Sequence, residues 1–208
     1  MRVICEWRTW GAIATLLGLT MLAGNARAVH FNSLTVRYHD GRYQVSADVY
    51  LSAPLPQVYR VLTDFNHLNR IGGVIRQSRL LRQLDAHTYI VFVESRGCVL
   101  FFCHSIRQTQ RVVELTPQDL IAEALPEKSD VTMGSSSWHL DAQKGGTRLH
   151  WRVSIHPAFW IPPLIGPPLV ESALGREGRK MAAGLEELAR ERAHLPPLNA
   201  TAKHAASC

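Results

Sequence analysis

After Asp40-Gly41, apolar side chains take every second position: Tyr43, Val45, Ala47, Val49 and Leu51, with Arg42, Gln44, Ser46 and Asp48 between them. A period of two predicts a strand with one buried face. At Ser52-Ala53-Pro54 the period changes, and Val58, Val61, Leu62 and Phe65 follow at helical spacing behind a proline suited to a first helical turn. The chain then turns out through Asn66–Gly73, so two short helices are expected after the first strand. Further strands are expected near 74–84, 87–96, 100–115, 118–125, 131–141 and 147–156. They are separated by Leu84-Asp85-Ala86, Arg96-Gly97, Thr116-Pro117, Pro126–Asp130 and Lys144-Gly145-Gly146, where glycine permits positive φ and proline removes a ladder donor. The last strand alternates most clearly, with Leu149, Trp151, Val153 and Ile155 on one face.

A proline-rich apolar stretch, His156–Pro168, cannot be regular helix. Beyond it a long helix is expected to about Arg192. Val170, Leu174, Met181, Leu185 and Leu188 fall on one narrow arc of it, and Arg176, Arg179, Glu186, Glu187 and Arg190 fall away from that arc. Helices set apart from an antiparallel meander make the class α+β. The only element large enough to cover a sheet of about six to seven strands is the terminal helix.

Residues 1–28 are expected to be a cleaved secretory signal: Arg2 and Arg8, an uncharged run Trp10–Ala23, then Ala26-Arg27-Ala28. That run is shorter than the roughly 18 to 20 residues that span a bilayer as a helix. Asn25 stands where a lipidated cysteine would be needed, which argues against a lipid anchor. Cleavage after Ala28 leaves 180 of the 208 residues: one domain, 29–194, and an aperiodic tail, 195–208, expected to be disordered. Export is expected to place the protein in the periplasm, and since no second apolar run approaches spanning length the mature chain is expected to be soluble. Loss of Arg2, Arg8, Arg27 and Glu6 lowers the formal net charge from +6 to +4. The remaining cations are scattered, so no nucleic-acid partner is expected.

Three stretches carry a resemblance to a known superfamily. They are Ala47–Phe65 (ADVYLSAPLPQVYRVLTDF), Ile75–Leu81 (IRQSRLL), and Pro157–Pro162 (PAFWIP) ahead of the long helix. In this order they resemble the START-like (SRPBCC) superfamily, which includes the polyketide cyclase/dehydrase and coenzyme Q-binding START families, over about residues 40–192. Gly72-Gly73 departs from relatives that carry proline before the second strand. The resemblance implies a helix-grip fold, a curved sheet around the C-terminal helix with an elongated cavity between them. A retained cavity costs packing, which hints at a ligand.

The candidate lining is Tyr89, Val91 and Val93, Trp138 and Leu140, and Trp151 and Val153, closed by Leu174, Met181 and Leu185 from the helix. Plain core is the competing reading for each of them. Glu177 lies between Leu174 and Met181; it either fixes a ligand's polar head or sits at the watered edge of the helix. Gly178 and Gly184 either make room for a ligand or allow close helix packing. Phe159, Trp160 and Ile161 are candidates for a gate loop with transient membrane contact. Cys98 and Cys103 need a turn or bulge between them to bond, and the spacing leaves both outcomes open.

No cofactor or metal is expected. His150 and His156 are too far apart for a shared ion, and the spacing from Cys98 to Cys103-His104 is too long for haem attachment. Ser137, His139 and Asp141 lie in an extended row on one strand face, where a triad would have to converge. The leading expectation is therefore a non-catalytic periplasmic carrier of a lipid-like molecule. The alternative is a cyclase or dehydratase-like enzyme acting on a small hydrophobic substrate.

Overall fold

Alternation in the sequence becomes a single curved antiparallel sheet gripping one long helix. The computed structural model describes residues 29–159, 166–196 and 198; the expected signal at 1–28 and nearly all of the expected tail lie outside them. In chain order the elements are β1 (His30–His39), β2 (Arg42–Leu51), α1 (Leu55–Leu62), a 3-10 turn (Leu68–Ile71), β3 (Ile75–Gln83), β4 (Thr88–Val99), β5 (Phe102–Thr116), β6 (Asp119–Ala124), a second 3-10 turn (Pro126–Lys128), β7 (Val131–Gln143), β8 (Gly146–Pro157) and α2 (Gly166–Arg192). The eight strands lie in the order β1-β2-β8-β7-β6-β5-β4-β3. This is the expected α+β helix-grip arrangement, with the two short helices as one α-helix and one 3-10 turn. Among the described residues no helix is long and apolar enough to cross a membrane.

The strand count exceeds the expected six to seven because β1 precedes β2. Asp40 (φ 48°) and Gly41 (φ 75°) make the tight turn between them, the positive-φ pair whose twist suits a two-residue hairpin. A second correction concerns the β4–β5 turn. Arg96-Gly97 does not end β4; pairing continues through Gly97 opposite His104 and Cys98 opposite Cys103, and the chain reverses at Leu100-Phe101.

The core sits at one end of the grip. Val49, Leu51, Val58, Val61, Leu140 and Leu149 are buried there with Leu185 and Ala189 of α2. A smaller cluster of Phe65, Val91, Val112 and Ala122 lies under β4–β6. The buried face of α2 is rotated by roughly a quarter turn from the expected stripe. Ala173, Gly175, Gly178, Ala182, Leu185, Glu186 and Ala189 are buried, whereas Leu174, Met181 and Leu188 are only partly so. Small residues form the line of closest approach: Gly175 faces Val36, and Gly178 faces Leu34 and Trp151. Glu186, expected on the polar face, is fully buried, and Arg190 beside it is half-buried.

Candidate functional site

Packing is complete under the C-terminal half of α2 and opens under its N-terminal half. There a cavity of about 560 Å³ lies between helix and sheet, within the range of roughly 300–1,000 Å³ typical of small-molecule sites. Val170, Leu174, Glu177, Gly178 and Met181 form its helical wall. The sheet supplies Tyr43 and Val45 from β2, Val93 from β4, Trp138 from β7, and Trp151, Val153 and Ile155 from β8. These positions are the inward members of each alternation, so the pattern that makes the strands also makes the wall.

Of the candidate lining, the structure brings together Val93, Trp138, Trp151, Val153, Leu174, Glu177 and Met181 around this cavity. It does not bring Tyr89, Val91, Leu140 and Leu185 there. Val91, Leu140 and Leu185 are buried in the two core clusters, and Tyr89 packs against the smaller one, its ring 5.0 Å from that of Phe65. Gly184 belongs to close packing as well, because a Cβ there would lie 2.0 Å from the carbonyl oxygen of Ile71. Gly178 lines the cavity, with ordinary contacts around its Cβ position.

Glu177 lines the cavity, with its carboxylate 2.7 Å from the exposed ammonium of Lys180. Glu177 is therefore part of the wall on one side and of a watered ion pair on the other. At one end the cavity is bounded by the β4–β5 hairpin and by Phe159, whose ring lies 3.9 Å from the His104 ring. Phe159 is the described member of the expected gate; Trp160 and Ile161 lie outside the described residues. The turn at Leu100-Phe101 sets Cys98 and Cys103 face to face, and a disulfide joins them.

Reading by residue type missed Gln108 and Gln110 of β5, which line the cavity. The signal that finds them is parity. They sit four and two residues before the buried Val112, hence on its inward face. Tyr43, whose hydroxyl is pushed above its ordinary range by burial, is a further polar group in the wall.

The outer face holds the other polar constellation. His139 lies with Nδ1 2.6 Å from Asp119 and Nε2 3.2 Å from Asp141, so carboxylates, not Ser137, engage both ring nitrogens. The hydrogen bond to Asp119 and the charge of Asp141 raise its pKa. Nearby, Asp48 is held down to about 2 by its bond to the Arg148 guanidinium. Among the described residues no group of three or more His, Cys, Asp or Glu could hold a metal ion.

Residues 42–191 match the family described as polyketide cyclase/dehydrase and lipid transport. No curated protein matches the sequence. Among solved structures, an aromatase/cyclase from Streptomyces sp. R1128 is similar with a TM-score of 0.57 at 18% identity, covering 73% of this chain and 96% of its own. A STAR-related lipid transfer protein fragment from Xanthomonas axonopodis has a TM-score of 0.58 at 14% identity, covering 78% of this chain and 99% of its own. A START superfamily protein from Mycobacterium smegmatis has a TM-score of 0.57 at 14% identity, covering 72% and 98%. At such identities these likenesses establish the fold alone.

Proposed function

The chain belongs to the polyketide cyclase/dehydrase and lipid transport family, and from that premise we propose that it is an exported carrier of a lipid-like molecule held between sheet and α2. The observation that carries the reading is the cavity of about 560 Å³ itself, walled largely by apolar side chains and left unfilled beside a well-packed core. Each CH₂ of a ligand buried there contributes roughly 0.8 kcal/mol, so a hydrocarbon chain binds well without many polar contacts. Export is supported by the Arg-flanked apolar start of the sequence and by a disulfide, a bond that persists in an oxidising compartment.

Carriage is favoured over turnover by the polar groups of the wall. Glu177, its one carboxylate among the described residues, is bonded to Lys180, and the other described side-chain hydrogen bond of the wall joins two glutamines. General acid–base chemistry needs an acid and a base set on the same reacting group. Native mass spectrometry after exposure to a bacterial lipid extract is expected to give a one-to-one lipid adduct. A clean apo mass under saturating extract would overturn the carrier reading.

Delivery at a membrane is part of the same proposal. Leu100, Phe101 and Phe102 are 68%, 82% and 43% exposed at the tip of the disulfide-tied β4–β5 hairpin, beside the cavity. Between Ser95 and Ile106 the chain carries Arg96 and His104 and no acidic residue, which suits an anionic bilayer. Burying two such side chains in the lipid interface is favourable by several times RT. Leu100→Ser with Phe101→Ser is expected to weaken binding to anionic vesicles at least ten-fold at unchanged melting temperature. Undiminished vesicle binding would remove the hairpin from the proposal.

A further inference from the structure

A purely apolar cavity does not account for Gln108. The residue lines it yet is only 8% exposed, and its Oε1 accepts a hydrogen bond from Nε2 of Gln110, 2.6 Å away at the next inward position of β5. Among the described residues neither amide makes a further side-chain hydrogen bond. An amide pair that shares one bond keeps at least one N–H and one carbonyl oxygen free, whichever way the two amides are turned. Neither free end is sealed inside the protein, and a ligand that covers them costs free energy unless it meets them with partners of its own.

Charge narrows what that is. No Lys or Arg lines the cavity among the described residues, and the carboxylate of Glu177 is already engaged by Lys180. The one imidazole of the wall among the described residues, His104, lies four residues before Gln108 on β5 and stacks on Phe159 at the far end of the cavity, so a ligand carboxylate or phosphate drawn in beside Gln108 would lose its water and find no counter-charge next to it. A neutral group that donates and accepts at once has a partner for both free ends of the pair.

Resting on the carrier reading above, we infer that the cavity selects an uncharged, hydroxyl-bearing lipid, its oxygen set between Gln108 and Gln110 and its hydrocarbon along Trp138, Trp151 and Val153. A fatty acid of equal length is the disfavoured competitor. The amide pair thereby gives orientation and selectivity, while the apolar wall gives most of the affinity.

The test uses delipidated protein and three probes of equal chain length: hexadecane, hexadecanol and hexadecanoate. They are delivered from cyclodextrin at mildly alkaline pH and read by tryptophan fluorescence. Hexadecanol is expected to bind about ten-fold tighter than hexadecanoate. Gln108→Leu with Gln110→Leu is expected to weaken hexadecanol about ten-fold and to leave hexadecane unchanged or tighter. Gln110→Met alone, at a half-buried position, is the second variant should the pair fail to fold, and it too is expected to lose hexadecanol selectivity. Hexadecanoate binding as tightly as hexadecanol, or hexadecanol affinity indifferent to both variants, would overturn this inference and leave the carrier reading standing. Failure of all three probes to bind would overturn both.

Discussion

Gly184→Ala is expected to lower unfolding free energy by about 3 kcal/mol, near the upper end for overpacking, although alanine is the better helix former by about 1 kcal/mol. The reason is backbone against backbone. A Cβ at residue 184 would lie 2.0 Å from the carbonyl oxygen of Ile71 and 2.9 Å from its carbonyl carbon. Ile71 is itself buried, ends the 3-10 turn, and is followed by Gly72 and Gly73, both at positive φ. Gly73 in turn leaves room for Met181, whose Cγ would be 2.5 Å from a Cβ there. Thus α2 is seated on this turn at two successive levels, and neither has slack. Gly178→Ala is the control of opposite sign. Its Cβ would meet Trp151 and Leu34 at ordinary distances of 3.6 and 3.8 Å, so helix propensity dominates and stability is expected to rise by about 1 kcal/mol. Urea melts with unchanged m-values check both variants. Equal effects would mean that α2 is not seated as described.

Why some of this was legible and some not can be traced to single residues. The alternations of β2 and β8 reappear as buried faces because each strand has one covered side and no irregularity to shift its parity. β1 breaks that condition. Its pairing with β2 slips between Phe31 and Ser33, so Phe31 and the later Leu34 and Val36 lie at opposite parities in sequence. A bulge hides a strand from any period-two reading, and here it hid the strand against which the glycines of α2 pack. The misplaced hairpin turn has a different cause. Gly97 looks like turn chemistry, but the φ of 55° falls on Leu100 instead, two residues beyond Cys98. Once the turn is there, Cys98 and Cys103 become cross-strand partners, which the spacing alone left open.

The cavity wall divided along a related line. Val93, Trp138, Trp151 and Val153 followed from strand parity, but parity does not tell a wall from a core, and Leu140 and Val91 are core by the same rule. What separates them is the position of α2 above the sheet. That position is set by small residues rather than large ones. A stripe drawn through leucines therefore put the helix face roughly a quarter turn out and sent Glu186 to the solvent side.

Glu186 is consequently the residue whose replacement tests the grip most directly at its packed end. It is fully buried, and its Oε1 accepts a 2.6 Å hydrogen bond from the backbone N–H of Ser52, where β2 gives way to α1. Its Oε2 has no partner among the described residues, while Arg190 donates to the Ser52 carbonyl. Burial raises the carboxyl above its ordinary pKa, and the Ser52 bond and Arg190 offset this only in part. Since the folded value is the higher one, the protonated form is favoured by folding. Its stabilisation is complete below the unfolded value of about 4.3 and is lost as pH rises through the folded value. Glu186→Gln does not titrate, so the wild type is expected to lose stability relative to it as pH rises from the unfolded value through the raised folded one. Glu186→Ala removes the acceptor of Ser52 and leaves a void, and is expected to cost about 3 kcal/mol at mildly acidic pH. That cost should shrink as pH rises through the folded value, above which the wild type itself carries a buried charge. A pH-independent difference between wild type and Glu186→Gln would place the carboxylate in water. The joint it makes between α2 and the β2–α1 corner would then have to be carried by Arg190 alone.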